Sequence, residues 1–192
     1  MALSTKEQAR MLPIEVRQLV TEDFDRYFKL RLAGLVERPA AFTTDADSWR
    51  NAERSTLESQ LSPERSDSPV IGAWVGAREL IGLVGMNREQ RRSVAHKAGL
   101  WGLYVSPSYR RHGVGRRLVE ALIAQAERQP GLRQFRAVVP TSCVEALALL
   151  GALGFESYGL ERAGRLVGGT FHDQSYLAYF IKELDPGEGG HP

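Results

Sequence analysis

The chain has 192 residues and a formal net charge of +2 at pH 7, from 25 Lys and Arg against 23 Asp and Glu. This length fits a single domain, and so small a charge gives little reason to expect a nucleic-acid partner. No apolar run approaches the ~20 residues that cross a bilayer, and the N-terminus lacks a secretory pattern. We therefore expect a cytoplasmic protein without a membrane or nucleic-acid partner. No metal is expected either, because no His or Cys cluster has ligand spacing.

The first half of the chain is predicted to contain a strand, two helices and a hairpin. Apolar alternation predicts the strand over 14–20, and Thr21 then caps a helix over 21–35. Pro39 ends that helical stretch. The remaining elements are a helix over 47–61 and two hairpin strands over 70–76 and 80–86.

The second half is predicted to alternate strands and helices. The strands cover 98–105, 134–139, 155–162 and 175–182. An amphipathic helix begins at Val114, and the pair Ser142 and Glu145 forms a capping box that opens a second helix over 144–153. Around these elements, residues 14–184 are interpreted as one domain, 1–13 as an N-terminal arm and 185–192 as a disordered tail.

The loop that precedes the helix at Val114 concentrates positive charge at a helix N-terminus. Its cationic side chains are Arg110, Arg111, His112, Arg116 and Arg117. A helix N-terminus is electropositive and normally favours Asp or Glu, so these cations are unfavourable unless an anion lies among them. Gly113 and Gly115 remove the side chains that would keep an anion away from the free backbone N–H groups. The segment 110–116 therefore predicts a phosphate ligand.

Two better-known phosphate motifs fit this loop less well. A Walker loop needs Lys-Ser or Lys-Thr after its second glycine, whereas Gly115 is followed by Arg116 and Arg117. The dinucleotide fingerprint needs three glycines in the first βαβ unit, and this pair lies beyond the middle of the chain. Two glycines at this spacing also occur in a basic turn at an ordinary strand–helix junction. The loop alone leaves an acyl-donor site, an ATP site and a plain turn open.

Two segments together resemble the GNAT acetyltransferases. In that family, Arg/Gln-x-x-Gly-x-Gly/Ala follows a strand that ends in Val-x-Pro. Here these places are filled by Val105, Pro107, Arg110, Gly113 and Gly115. The run 146–155 resembles the second family signature, with Ala146, Leu149, Gly154 and Phe155 in register. The resemblance covers roughly 14–184 and is strongest over 100–155.

The resemblance implies a fold and a donor. The fold would be one domain of the α/β class (α+β type), with a mixed, mostly antiparallel central sheet flanked by helices. The donor would be acetyl-CoA, and a bulge in the central strand would free backbone amides to bind it. The assigned residues are Leu103, Tyr104 and Val105 for the pantetheine arm, Arg110, Arg111, His112, Gly113, Val114, Gly115 and Arg116 for the pyrophosphate, and Cys143 at the next helix start.

Two departures from the family pattern carry chemical consequences. Leu150 stands where relatives often place a Tyr that protonates the leaving CoA sulfur, and Cys143 replaces the Asn that opens the helix. A positioned general acid contributes ~10²–10⁴ in rate, but a thiol pKa of about 8.5 makes thiolate a tolerable leaving group. We therefore expect a slower or differently assisted transferase. Cys143 is expected to pack at the helix start, where the helix N-terminus would lower its pKa.

The general base is not evident from the family pattern. Relatives often place a Glu on the central strand, and residues 99–105 contain no carboxylate. An alkyl ammonium has a pKa near ~10.4, so a base must take its proton before attack. We nominate His96 and Tyr176 as catalytic residues, against the alternatives of an exposed loop histidine and a buried strand tyrosine. Weaker candidates are Glu37, His172 and Asp173.

The acceptor is the least determined part of the function. By analogy, the segment 35–50 should line one wall with Phe42 and Trp49, and Trp101 would border it. The favoured function is acetyl transfer from acetyl-CoA to a primary amine of a small molecule or amino acid. The alternatives are acetylation of protein N-termini or lysines, and a catalytically weak acyl-CoA-binding module. The expected partners are a small-molecule or peptide amine and a second copy of the chain, paired through the last strands.

Overall fold

The computed structural model describes residues 13–76 and 78–181. The predicted arm, except Pro13, and the predicted tail lie outside the described residues, as do the last residues of the predicted domain. Within the described part, no helix is long and apolar enough to cross a membrane. Over the same residues, no three His, Cys, Asp or Glu side chains cluster as a metal site would require.

The described residues form seven strands and five α-helices. The strands are β1 (Ile14–Gln18), β2 (Val70–Val75), β3 (Glu79–Arg88), β4 (Lys97–Val105), β5 (Gln134–Pro140), β6 (Glu156–Val167) and β7 (Thr170–Phe180). The helices are α1 (Phe24–Glu37), α2 (Ala46–Asn51), α3 (Arg54–Glu58), α4 (Val114–Glu127) and α5 (Val144–Gly151). All of the predicted strands are present, and Pro39 follows the end of α1 as predicted.

The strands form one sheet in the order β1-β2-β3-β4-β5-β7-β6. β4 and β5 run parallel, and every other neighbouring pair is antiparallel. A parallel pair needs a crossover connection, which α4 supplies between β4 and β5. The mixed, mostly antiparallel sheet predicted for this chain is confirmed.

Helices cover both faces of the sheet and bury a separate apolar cluster on each. On one face, α4 contributes Val114, Leu118 and Leu122, at the helical spacing read from the sequence. On the other face, α1 packs together with Trp49 of α2 and Leu57 of α3. The sheet is therefore enclosed from both sides, and sites accessible to ligands lie where its strands separate.

β4 and β5 separate halfway along β4. Their pairing begins with Lys97 opposite Gln134 and ends with Leu100 opposite Ala137. β4 then continues to Val105 without a partner on that side. Backbone N–H groups of a strand alternate between its two neighbours, so those that do not face β3 open into the gap.

Beside this gap, β4 carries a β-bulge. Trp101 pairs with Gly85 and Tyr104 with Leu83, so β4 uses one residue more than β3 over this stretch. Gly102 lies within the bulge at a φ of +73°, a left-handed conformation that glycine adopts at little cost. The bulge expected from the family resemblance is therefore present.

Several local predictions about the helices are wrong. Thr21 does not cap α1, whose N-cap is Asp23. The helix predicted over 47–61 is broken: α2 ends, Ala52 is extended, and α3 follows. α2 instead starts earlier than predicted, because the Asp45 carboxylate accepts hydrogen bonds from the backbone N–H groups of Asp47 and Ser48. The capping box at Ser142 does not form, since Cys143 is the N-cap of α5 and no side chain makes a capping hydrogen bond there.

Candidate active site

The segment 110–116 forms a concave turn of backbone N–H groups at the start of α4. Arg111 has a φ of +66° and Gly113 a φ of +77°, and α4 begins directly after Gly113. Among the described residues, no group accepts a hydrogen bond from the backbone N–H groups of 111–116. Such a turn at a helix N-terminus is an anion-binding arrangement. The predicted phosphate loop therefore has the backbone conformation that phosphate binding requires.

The side chain of Arg110 is directed inward, away from this turn. Its Nε donates to the carbonyl oxygen of Val105 at 2.9 Å. Its two terminal nitrogens donate to the two carboxylate oxygens of Glu37, each at 2.8 Å. The guanidinium was predicted to contact the pyrophosphate. In the structure it instead connects the loop to the ends of β4 and α1.

Glu37 is held by a second donor, the hydroxyl of Tyr104 at 2.7 Å. The hydrogen bonds from Arg110 are the largest cause that lowers the pKa of Glu37, to about 2. Burial, followed by the hydrogen bond to Glu37, raises the pKa of Tyr104 to about 12. Glu37 therefore stays ionised and fully engaged at neutral pH, which disfavours it as the base.

The remaining cations of the loop stand around the turn at the surface. Arg111, His112 and Arg116 are exposed. His112 holds its Nδ1 2.7 Å from the carbonyl oxygen of Arg110, and Arg116 lies 3.3 Å from Glu120 in the next helical turn. The guanidiniums of Arg111 and Arg116 therefore place positive charge at the surface near the start of α4.

The gap between β4 and β5 is an apolar cavity of about 80 Å³. Leu103 of β4 and Leu150 of α5 lie in its wall, and Cys143 is its one ionisable lining residue. Leu150 is 1 % exposed, so hydrocarbon fills the position of the family's Tyr. Burial raises the pKa of Cys143, which is opposite to the expected effect of the helix N-terminus.

A second cavity, of about 240 Å³, lies on the other side of the bulge. We call it the arginine cavity, because Arg31, Arg136 and Arg165 line it. Its aromatic lining residues are Phe42, Trp101, Tyr158 and Tyr176. Six residues line both cavities: Ala41, Phe42, Leu100, Trp101, Gly102 and Val138. The two cavities therefore adjoin each other beside the bulge of β4, where β5 and the segment after α1 also border them.

The sequence identified part of the arginine cavity. Phe42, Trp101 and Tyr176 were predicted to lie near the acceptor, and all three line the cavity. Trp49 does not, because it packs against Tyr27 and Phe28 inside the core. The missed residues are Arg31, Arg136, Arg165 and Tyr158. The sequence offers one signal for the first of them, an Arg on the apolar side of a helix between Leu30 and Leu35.

The two nominated catalytic residues have different positions. Tyr176 lines the arginine cavity, and its hydroxyl donates to Glu161 at 2.5 Å. That hydrogen bond is the main cause that raises the pKa of Tyr176. His96 lies on the surface at the opposite end of β4 and lines neither cavity, and its carbonyl oxygen accepts from the N–H groups of 133 and 134. Its position does not support a role as the base.

His172 and Asp173 were expected between the last two strands, but both lie within β7. The turn is at Gly168 and Gly169, because β6 and β7 are longer than predicted. The Asp173 carboxylate accepts from the N–H of Ala163 at 2.8 Å, where the register of β6 shifts. Asp173 therefore stabilises the irregular strand pair.

Comparison with known proteins places these features in a family. A family model described as the acetyltransferase (GNAT) family matches residues 35–155, more than half of the chain. No curated protein sequence matches the chain.

Solved structures share the fold at low sequence identity. A GNAT-family acetyltransferase from Streptococcus pneumoniae superposes with a TM-score of 0.79 at 20% identity, covering 88% of this chain and 100% of its own. A phosphinothricin acetyltransferase from Sinorhizobium meliloti in complex with AcCoA gives 0.75 at 21% identity, covering 93% and 96%. A ribosomal-protein-alanine N-acetyltransferase from Brucella melitensis gives 0.71 at 19% identity, covering 86% and 99%.

Proposed function

Because the chain belongs to the GNAT family of acetyltransferases, which use acetyl-CoA as acyl donor, we propose that it acetylates the primary amine of a small molecule or amino acid. The observation that carries this proposal is that two cavities adjoin each other beside the bulge of β4. One is the gap beside the free edge of β4, and the other is the arginine cavity. A donor arm in the first would present its reactive end to an acceptor in the second.

The donor side fits acetyl-CoA in its backbone conformation. The unpartnered N–H groups of 111–116 would hold the pyrophosphate, with Arg111, His112 and Arg116 around it. When bound, acetyl-CoA supplies an activated thioester carbonyl. Those backbone N–H groups of 103–105 that do not face β3 would bind the pantetheine arm, and one of them would polarise that carbonyl. Preformed donors of this kind commonly supply the largest catalytic contribution. Orientation of amine and thioester at the bulge would supply the rest.

Proton removal is assigned to Tyr176. The tyrosine oxygen would accept a proton from the ammonium while its own proton passes to Glu161, 2.5 Å away. The proton thus ends on the exposed carboxylate of Glu161, and the phenol is regenerated. This route agrees with the raised pKa of Tyr176, because the phenol does not need to ionise beforehand.

Departure of CoA is expected to proceed without a phenol acid. Leu150 cannot donate a proton, and the thiol of Cys143 is the one ionisable group that lines the gap. A thiol has an ordinary pKa of about 8.5, so the thiolate leaves tolerably well near neutral pH. Leu150 therefore implies a slower transferase.

The size of the arginine cavity supports a small acceptor over a protein chain. At about 240 Å³, it has room for a small amine. The fold by itself does not decide this point, because similar structures are described as acting on phosphinothricin and on a ribosomal protein. A protein acetyltransferase would acetylate peptides in preference to free amines. A weak acyl-CoA-binding module would bind acetyl-CoA and turn over no amine.

Calorimetric binding of acetyl-CoA, with ATP as the control ligand, tests the donor assignment first. Selective binding of acetyl-CoA is the expected result, and preference for ATP would contradict the assignment of the loop. A panel of free amines and short peptides, followed by release of free thiol, then tests the transfer. Turnover of free amines supports the proposal, and turnover of peptides alone would replace it with the protein acetyltransferase.

Pairing of two copies through the last strands is proposed as the oligomeric state. β6 is the outer strand of the sheet, and the β6–β7 hairpin exposes Leu160, Leu166 and Phe171. Exposed edge strands with apolar side chains are prone to pair. Sedimentation equilibrium is expected to give a dimer, and a monomer at high protein concentration would contradict this assignment.

A further inference from the structure

Arg31 is a buried cation that lines the arginine cavity and also borders another cavity of about 240 Å³, which shares Thr43 and Trp101 with it. It lies on α1 and is 5% exposed. Its Nε and one terminal nitrogen are buried, and neither has a hydrogen-bond partner among the described residues. Buried polar groups are normally hydrogen-bonded, and an unpartnered charged donor is costlier than a neutral one. The free protein therefore holds two unsatisfied donors on a side chain that lines the arginine cavity.

Aromatic rings surround this guanidinium without satisfying its donors. Its carbon lies 4.5 Å from the ring centre of Phe42 and 5.6 Å from that of Trp101. These cation–π contacts stabilise the charge but leave the N–H groups free. Among the described residues, Arg31 forms no salt bridge with a carboxylate. Burial lowers the pKa of Arg31 to about 10, so it remains charged at neutral pH.

The other two arginines add positive charge to the same cavity. Arg165 donates to the carbonyl oxygen of Ala40 at 3.1 Å. It also donates to the side-chain oxygen of Gln174 at 2.8 Å, in the orientation of the Gln174 amide that satisfies both its oxygen and its nitrogen. Both partners are neutral. Arg136 donates to Glu89 at 2.8 Å. Of the three guanidiniums that line the cavity, Arg136 alone is paired with a carboxylate among the described residues.

The position of Arg31 relative to the bulge defines where an anion would sit. A Cβ built on Gly102 would lie 3.4 Å from a terminal nitrogen of Arg31. Gly102 also lines both the arginine cavity and the gap between β4 and β5. An anion bound to Arg31 would thus lie beside the transfer point, and an amine a few bonds away in the same molecule would reach the donor.

We propose that the acceptor is an amino acid or a similar amine with a carboxylate close to its nitrogen, and that Arg31 binds this carboxylate. The proposal rests on the acetyltransferase function and narrows its acceptor to one chemical class. Arg31 touches the substrate and determines specificity. Arg165 and Arg136 provide the positive potential that favours an anion over a neutral amine of equal size.

Matched acceptors test the carboxylate directly. Leucine is compared with leucinamide and 3-methylbutylamine, and phenylalanine with phenylalaninamide and 2-phenylethylamine, by thiol release with saturating acetyl-CoA. A site with unsatisfied polar groups rejects analogues that leave those groups unpaired by ~10⁴–10⁵. For whichever amino acid is the better substrate, we therefore expect a kcat/KM at least ~100-fold higher than for its own amide and amine. Equal or better turnover of the amide and the amine in both series would overturn the proposal.

Matched variants test Arg31 itself. Arg31→Met keeps the length of the side chain and removes its charge, and Arg128→Met removes an exposed charge at the end of α4 as the control. We expect Arg31→Met to lose about 100-fold or more in kcat/KM for the acid, with little change for the uncharged amine. Arg31→Lys restores part of the loss. An unchanged preference for the acid in Arg31→Met would overturn the proposal.

The Tm of Arg31→Met and its Kd for acetyl-CoA separate a substrate-binding role of Arg31 from a structural role. Removal of an unpartnered buried charge does not break a hydrogen bond, so the Tm of Arg31→Met is expected to be no lower than wild type. Its Kd for acetyl-CoA is expected to be unchanged. A large fall in Tm would assign Arg31 to the core and overturn the proposal. Failure of every amine and peptide, with acetyl-CoA still bound, would instead reject the transferase function.

Discussion

The carboxylate of Glu37 and the guanidinium of Arg110 form two hydrogen bonds of 2.8 Å, although 73 positions separate them in the chain. Glu37 is the last residue of α1, and Arg110 begins the phosphate loop. α1 also carries Arg31 into the arginine cavity. This ion pair therefore joins the donor loop to the helix that borders the acceptor cavity.

The ion pair is expected to position the phosphate loop. Glu37→Gln keeps the side-chain shape but weakens both charged hydrogen bonds, so we expect about a 5- to 10-fold weaker affinity for acetyl-CoA. Calorimetry checks this, with Arg128→Met as the control for loss of a charge elsewhere. Affinity equal to wild type in Glu37→Gln would show that the loop holds its conformation without the pair.

The contribution of Glu37 to the free energy of unfolding is expected to depend on pH. Its pKa is lowered from 4.5 to about 2, so the carboxylate stabilises the folded state above pH 4.5 and loses this effect as pH falls toward 2. Because the side chain is 32% exposed, we expect only about 1 kcal/mol between wild type and Glu37→Gln at pH 7. Urea unfolding of both proteins at pH 7 and at pH 2 measures this difference. An equally large difference at pH 2 would contradict the prediction.

Gly113 is expected to be required for donor binding. Gly113 has a φ of +77°, and the space beside its Cα is open. Gly113→Val would place a branched side chain in that space. We expect acetyl-CoA binding to be abolished, because the side chain blocks the approach of the phosphate. Near-normal affinity in a folded variant would contradict the assignment of the loop.

A matched pair separates backbone strain from this block. Gly113→Ala and Gly168→Ala both place a Cβ at a positive φ in open space, and Gly168 lies in the remote β6–β7 turn. Each is expected to lose about 1–2 kcal/mol of stability. Only Gly113→Ala should also weaken acetyl-CoA binding. Equal affinities for acetyl-CoA in the two variants would show that the loop glycine serves folding alone.

Tyr176 is expected to be required for turnover, whereas His96 is expected to be dispensable. Tyr176→Phe removes the hydroxyl that would pass a proton to Glu161, so we expect kcat to fall ~10²–10⁴-fold with acetyl-CoA binding retained. His96→Phe changes a surface residue away from both cavities and should keep wild-type turnover. Unchanged kcat in Tyr176→Phe, or a large loss in His96→Phe, would reverse the assignment.

Cys143 is expected to react slowly and to be protected by the donor. Burial raises its pKa above that of an ordinary thiol, so the neutral thiol predominates at pH 7 and alkylation should become faster as the pH rises. Because Cys143 lines the gap between β4 and β5, bound acetyl-CoA should slow its alkylation. Mass spectrometry of iodoacetamide-treated protein measures both rates. Fast alkylation at pH 7, or no protection, would contradict this placement.

Local patterns were sufficient for most of the fold and for the donor loop. Apolar periodicity places the strands and α4, and glycines beside clustered cations at a helix start predict an anion site, because both depend on neighbours along the chain. The fine structure of the helices was less accessible. The predicted capping box at Ser142 failed because Cys143 caps α5, a difference of one residue that tertiary packing decides.

The arginine cavity shows where local reasoning ends. Arg31, Arg136 and Arg165 come from α1, β5 and β6, and no sequence spacing relates them. Likewise, the sequence assigns Arg110 to phosphate, whereas its partner Glu37 lies on another element. A side chain's hydrogen-bond partners depend on which distant segments the sheet brings together.

By itself, the sequence placed the strands and brought glycines and cations together at a helix start, because these features depend on spacing along the chain. The mixed sheet and acetyl-CoA as donor followed from the resemblance to the GNAT family, and the family match and the sheet confirm both. The tertiary structure alone decided which side chains face the acceptor, and it disfavoured Glu37 and His96 as bases. It also placed Arg31, whose side chain has no hydrogen-bond partner within residues 13–76 and 78–181, in the lining of the arginine cavity. Burial and charge compensation are properties of the packed molecule, so no stretch of sequence contains them.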